Sequence, residues 1–387
     1  REKMYIYILC FIVSSFCIWQ SEIVKSKKIK IIFEVLGILI ICTLAGLRSD
    51  EIGTDVGIYC KPLYEQAETS TTFRDYLSKR VTNSRIVSDY EIGFITLVFL
   101  CAKIFKNFQI LLFAIQLLIV VPIFKGIKII SKKENNRIWL SMLIFYCMFY
   151  NVSLNLMRQF IAIGFIFLGT ANLISNENKK NIKFVICLLI GFLFHSSALM
   201  GLLIYALYKV IHHSYKKVRI GNINIPLKQI VTVLISITGI FLLINNNILV
   251  TILNLFDMQY YTRYIEGNVS FLTSTVFKLL PVMFLFAFSN KKELKNKNNN
   301  YYFYILLFLY SVIVDQFTSV NVFAARIAFV FAIFNIISFS EMVYSLKRNV
   351  NIKVAKTFIF IYISAYWYYY FVYEGGHETI PYKFFWN

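Results

Sequence analysis

The chain has 387 residues, 58% of them hydrophobic, with a mean hydropathy of +0.64 and a formal net charge of +20. A soluble globular domain uses apolar residues for nearer half its length and interrupts them with charge, so that class is excluded. The apolar residues come in long runs rather than in alternation, which excludes a porin-type barrel and predicts an all-α, polytopic membrane bundle.

In chain order the apolar runs lie near 4–20, 30–47, 91–105, 108–124, 138–150, 154–174, 182–194, 196–210, 228–246, 271–289, 301–317, 321–343 and 356–373. Between them fall six basic clusters, around Lys25–Lys30, Lys125–Arg137, Lys179–Lys183, Lys209–Arg219, Lys291–Lys297 and Lys347–Arg348. All six are cytoplasmic at once if both termini are outside. This placement accounts for most of the net charge without a nucleic-acid partner. The expectation is a single integral membrane domain, 1–387, of about 12 spans plus re-entrant or broken helices. Two polar loops, 48–90 and 247–270, and the tail after 373 then lie outside.

Parity fails once. The chain is outside at 48 and inside by 125, yet two runs intervene. The run 91–105 is the shorter and contains Lys103, so it is expected to be re-entrant or only partly inserted. The pair 182–194 and 196–210 reads as a short hairpin with its tip at 194-FHSSA-198 and His195 at the floor of a cavity. Pro281 predicts a kink in its helix. The seven cysteines show no CxxC pairing, so neither a disulfide framework nor a zinc site is expected. Walker A, GxGxxG, HExxH and GxSxG are all absent.

The hardest charge to place is Arg158. A guanidinium keeps its charge, and in hydrocarbon it needs a water-lined cavity or an anion. Asn151, Asn155, Arg158, Gln159 and Ala162 follow a 3.6-residue period and predict one polar stripe on one helix. On the same outer side this topology places Arg48, Asp50, Glu51 and Asp55, then Glu91, His195, Arg263, Asp315 and Arg326, then Glu374, His377 and Glu378. Each has a plainer reading. Arg48 could snorkel at a helix end. Glu91 could cap a helix N-terminus. Asp315 and Arg326 could pair across a helical hairpin, and His195 could bond a backbone group at the break. The 26 tyrosines read mostly as an interfacial belt.

Four elements occur in order: 46-GLRSDEIGTDVGIY-59, 90-YEIGF-94, 155-NLMRQFIA-162 and 194-FHSSAL-199. Together they resemble the EpsG family of polysaccharide polymerases, Wzy-like proteins of bacteria. The resemblance covers nearly the whole chain and is least distinctive in its C-terminal half. It implies a GT-C-like helical fold in the cytoplasmic membrane, with an active site facing outside. It also implies a metal-independent glycosyltransferase with no cofactor. The substrate would be an oligosaccharide repeat unit on undecaprenyl diphosphate, destined for capsule, exopolysaccharide or O-antigen. A chain-length regulator or a flippase would be the protein partner.

The residues fit that chemistry. Arginine forks suit phosphate oxygens, so Arg158, Arg48, Arg326 and Arg263 are the candidates to hold the diphosphate. His195, Asp55 and Glu91 are the candidates for the general base; His195 is preferred because imidazole titrates near neutral pH. Asn155 and Gln159 would orient substrate, and the loop 48–90 would help hold the acceptor. A glycan ligase would use the same groups. A transporter or flippase for the same lipid would need the arginines but no base.

Overall fold

A computed structural model describes residues 4–82, 84–132, 137–175, 178–212, 217–220, 223–226, 274–288, 299–319, 323–345 and 352–386. The loop 247–270, Arg263 and the run 228–246 lie outside the described residues. Contacts group the chain into two units, Arg1–Leu199 with Lys356–Asn387, and Met200–Ala355.

The first unit begins with α1 (Tyr5–Ile23) and α2 (Lys27–Gly46), joined by a short polar turn. Ser14 in α1 donates its hydroxyl to the Gly37 carbonyl of α2 at 2.7 Å. The loop expected at 48–90 is largely ordered structure. It holds a wide helical turn at Val56–Cys60, α3 (Lys61–Thr69), α4 (Phe73–Ser78), and a two-stranded ribbon of β1 (Arg80–Thr82) and β2 (Arg85–Ile86). Next come α5 (Ile92–Ile104), α6 (Phe108–Ser131), α7 (Ile138–Asn155), α8 (Met157–Ser175) and α9 (Lys180–Phe194). Asn107 starts α6 by accepting the Gln109 N–H at 2.8 Å, and Thr72 starts α4 by accepting the Asp75 N–H.

The second unit holds α10 (Met200–His212), strands β3 (Lys217–Ile220) and β4 (Ile223–Pro226), α11 (Ser274–Phe288) containing Pro281, and α12 (Asn299–Gln316). It continues with α13 (Phe323–Ala332) and α14 (Asn335–Ser345). The run expected to be one span at 321–343 is instead two helices bent by 42°. Asp315 pairs with Lys278 of α11. The chain re-enters the first unit through α15 (Ile352–Trp367), a wide turn at Tyr368–Tyr373, and an aromatic tail.

Among the described residues, five helices are long and apolar enough to cross a membrane: α1, α2, α6, α7 and α8. The bent α13–α14 pair makes a sixth if counted as one span. The hydrophobic windows of α7 and α8 are each 83% buried, against 39% for α1 and α2. The first pair is therefore the protein interior and the second faces lipid. Residues such as Leu9, Ile12, Phe16, Ile32 and Val35 form that lipid face. Gly164 lets α8 approach α6 closely, since a Cβ there would sit 3.1 Å from the Ile119 carbonyl oxygen.

One correction concerns the polar stripe. Periodicity put Asn151, Asn155, Arg158, Gln159 and Ala162 on a single helix. The helix breaks at Leu156, where ψ is 53°, so the two asparagines end α7 and the other three begin α8. A second point concerns parity. At about 1.5 Å per residue, α5 is only about 20 Å long, short of a hydrocarbon core of about 30 Å. Both its ends are tied to the same end of the bundle. Glu91, ahead of it, pairs with Arg158, and Lys103 in its last turn donates to the Ser70 carbonyl behind α3. Among the described residues it is one of the shorter apolar helices, not one of the five long enough to cross.

Gly93 sits where α5 meets α9, and a Cβ there would lie 2.7 Å from the Leu193 carbonyl oxygen. Backbone cannot move aside as a side chain can. Gly93→Ala is expected to lower stability by about 1–3 kcal/mol, read as a lower unfolding temperature of the detergent-solubilised protein.

Candidate active site

At one end of the first unit, the start of α1, the end of α2, the start of α6, the α7–α8 break and the tail come together. The Tyr7 hydroxyl donates to the Thr379 carbonyl at 2.8 Å, and Gln109 Nε2 donates to the Arg48 carbonyl at 3.3 Å. Arg48 Nη2 reaches Met157 Sδ at 3.4 Å. Met157 immediately precedes Arg158, so the two arginines of the N-terminal half share one end of the bundle. The helix ends joined by the basic linkers α1–α2 and α6–α7 are at the other.

Arg158 is enclosed by rings. Its guanidinium carbon lies 4.4 Å from the Tyr59 ring centre, 5.1 Å from Tyr90 and 5.9 Å from Phe94. Its Nη1 is paired with the Glu91 carboxylate. Aromatic faces and one carboxylate thus replace water around the charge. Burial pushes the Tyr59 and Tyr90 hydroxyls above their ordinary range, against the opposing pull of Arg158. Both stay neutral donors at physiological pH.

Asn155 is the joint of the site. Its Oδ1 accepts the Asp55 backbone N–H at 2.8 Å and the Thr54 hydroxyl at 3.2 Å. Those two donors fix the amide orientation, so Nδ2 donates to His377 Nδ1, 3.1 Å away. Gly53, at φ 86°, lets the loop press on the α7 terminus, where a Cβ would meet the Leu154 carbonyl at 3.0 Å. Asp55 sits one helical turn ahead of Tyr59, at the start of the Val56–Cys60 turn. Asn151 ties the same end to the tail, donating to Thr379 Oγ1 at 2.9 Å and accepting from Trp367 Nε1 at 2.9 Å.

His195 follows α9 in an extended conformation. Its Nδ1 accepts the Ser197 backbone N–H at 3.0 Å, so the neutral ring carries its proton on Nε2. The Leu193 carbonyl meets Gly93, which places His195 near the α5 start that carries Glu91. Gln159 is buried next to Arg158 in α8. Arg326 belongs to α13 in the second unit.

Arg48, Asp55, Glu91, Asn155, Arg158, Gln159 and His195 therefore all lie in the first unit. The sequence reading missed the surroundings. Tyr59 and Tyr90 stand inside the motifs it used, yet their rings were not assigned to Arg158. Tyr7, Tyr150 and Tyr382 are buried, not belt residues, while Tyr368, Tyr369 and Tyr373 remain exposed. The aromatic tail 382-YKFFW-386 was the available signal for a packed terminus. Among the described residues, no three His, Cys, Asp or Glu side chains gather into a metal-ligand set.

A family model matches residues 31–384, from α2 to the tail, and it is that of the EpsG family. The chain belongs to the EpsG family. EpsG proteins are Wzy-like polymerases, so the activity class is a glycosyltransferase-like polysaccharide polymerase in the broad sense, in a multi-pass membrane protein. No match is found among curated proteins or among solved structures. In this EpsG protein the segments 46–59, 90–94 and 155–162 build the arginine end of the first unit.

Two outcomes follow from this geometry. Asn155→Ala leaves the Asp55 N–H without its acceptor, a loss of about 1–3 kcal/mol, visible as a lower unfolding temperature and faster hydrogen exchange at Asp55. Burial pushes the Cys60 thiol up to about 12. At pH 8 roughly one molecule in ten thousand then carries the thiolate, so maleimide should label Cys60 only after unfolding.

Proposed function

We propose that this EpsG protein polymerises lipid-linked oligosaccharide repeat units at the outer face of the bacterial cytoplasmic membrane. The growing glycan moves from undecaprenyl diphosphate to a sugar hydroxyl of the next lipid-linked unit. The acceptor oxygen attacks the anomeric carbon and the bond to the diphosphate breaks. The bonding electrons leave with the diphosphate, and the acceptor proton passes to a protein base. The observation that carries this reading is the placement of Arg48 and Arg158 at one bundle end, opposite the helix ends that the basic linkers join. By the positive-inside rule those linkers are cytoplasmic and the arginines face out.

In this scheme Arg158 contacts the diphosphate first, because its side chain keeps 15% exposure whereas Arg48 is 1% exposed. Its Nη1 is held by Glu91, so a diphosphate oxygen competes with that carboxylate. Arginine forks stabilise the charge that develops on the leaving group without needing a metal. Asp55 becomes the preferred base over His195. It neighbours Tyr59, which covers Arg158, and its own backbone is fixed by Asn155. His195 presents its Nε2 proton and acts as a donor to substrate, since its Nδ1 lone pair is taken by Ser197. Glu91 orients Arg158, and Asn155 and Gln159 position the loop and substrate. Arg326, in the second unit, and Arg263, outside the described residues, are proposed as diphosphate ligands by their charge alone. About 12 spans in a GT-C-like arrangement, with a chain-length regulator or flippase as partner, complete the proposal.

Reconstitution with defined lipid-linked repeats, without nucleotide, tests it. Wild type should give a ladder of longer glycans. Arg158→Ala should cut the rate about 100- to 1000-fold, the scale of a lost charge-stabilising donor, and Asp55→Asn should lower kcat more than it raises KM. Translocation of unchanged substrate with no ladder would sink the polymerase reading and favour a flippase.

A further inference from the structure

Arg48 is fully buried, and among the described residues no acid pairs with its charge. Its Nε and Nη1 have no hydrogen-bond partner among the described residues, and Nη2 reaches only the weak acceptor Met157 Sδ. The neighbouring acids are engaged elsewhere, Asp50 with Lys61 and Glu51 with Lys383. The surrounding phenols give no anion either. Tyr7, Tyr150 and Tyr382 donate to the carbonyls of Thr379, Ile41 and Leu44 at 2.8, 2.9 and 2.7 Å. Burial pulls the guanidinium below its ordinary range, as expected of a cation taken from water. An unpaired buried charge is among the costliest features a fold can hold.

The C-terminal strap, residues 379–386, pairs with the backbone at Arg48 and places Tyr382 beside the guanidinium. Arg48 and Phe384 form an antiparallel bridge. It is flanked by Ser49 N–H to the Lys383 carbonyl at 2.8 Å and Phe385 N–H to the Leu47 carbonyl at 3.0 Å. The outer tie is the exposed Lys383–Glu51 ion pair, of a kind that contributes little. A short strap thus holds a cation in an unfavourable place, and a ligand that pairs with Arg48 favours the strap's release.

We infer that Arg48 is an oxyanion site gated by the strap, and that the strap lifts to let a phosphate-bearing lipid group pass from Arg158 to Arg48. The lipid diphosphate is the ligand if the polymerase reading holds; the gate rests on that reading only for its ligand. An anionic phospholipid headgroup offers the same phosphate chemistry, so the test must separate the two.

Hydrogen exchange is measured on the full chain in phosphatidylcholine nanodiscs. Undecaprenyl diphosphate should speed exchange at the Ser49 and Phe385 amides about tenfold or more, and Arg48→Met should abolish the response. Arg48→Met should also raise the unfolding temperature, because it removes a buried unpaired charge; a fall would mark Arg48 as purely structural. Equal acceleration by phosphatidylglycerol would overturn the assignment to diphosphate, and no acceleration by either lipid would overturn the gate. A second arm locks the strap. Ser49→Cys with Lys383→Cys puts cysteines at opposed positions about 5.5 Å apart, within the reach of a disulfide. Oxidation should stop glycan elongation and reductant should restore it. A locked protein that elongates as fast as the reduced one refutes the gate. If the reduced protein makes no glycan either, the polymerase reading fails and exchange alone judges the gate.

Discussion

Two guanidinium groups withdrawn from water at one end of a helical bundle set the terms for everything around them. Neither can shed its charge, so the surrounding chain has to supply what water would have given. Arg158 receives three aromatic faces and the Glu91 carboxylate. Arg48 receives a sulfur, a ring of phenols and a strap of backbone. The first environment is compensated and partly open. The second is closed and poorly compensated. On the proposed reading, a pair of cations in such unequal surroundings receives one negatively charged group in sequence, first at the open member and then at the closed one.

The pieces that make this end are far apart in the chain, and one amide joins them. Asn155 ends α7, fixes the backbone at Asp55 and Thr54, and reaches His377 near the C-terminus. It uses its donor and acceptor together, so an apolar side chain in its place leaves groups on both sides unpaired. Beneath it, α7 and α8 are almost wholly enclosed by protein. The site is therefore mounted on the most enclosed helices of the unit, and the 48–90 segment and the tail pack onto their ends.

Much of this was legible in the sequence, and the failures have physical reasons. Long apolar runs and basic clusters gave a helical membrane protein, because hydrocarbon permits few alternatives. The demotion of 91–105 followed from length and Lys103, and α5 is among the shorter apolar helices of the described residues. The break at Leu156 escaped because a one-residue change in ψ leaves the polar spacing on either side intact. The roles of Tyr7, Tyr59, Tyr150 and Tyr382 escaped because a tyrosine suits an interface and a buried carbonyl contact equally well. The strap escaped because eight residues after the last span give no period to read, and only their aromatic content hinted at packing. Arg326 could be proposed as a phosphate ligand from its charge alone, whereas contact with a particular partner is a property of three dimensions.

The helices that face lipid also carry part of the site. α1 and α2 expose most of their length to the bilayer, yet Tyr7 sits near the start of one and Arg48 just past the end of the other. Arg158 rides on α8, which lipid hardly touches. One arginine is thus held at the lipid-facing rim of the bundle and the other at its enclosed centre.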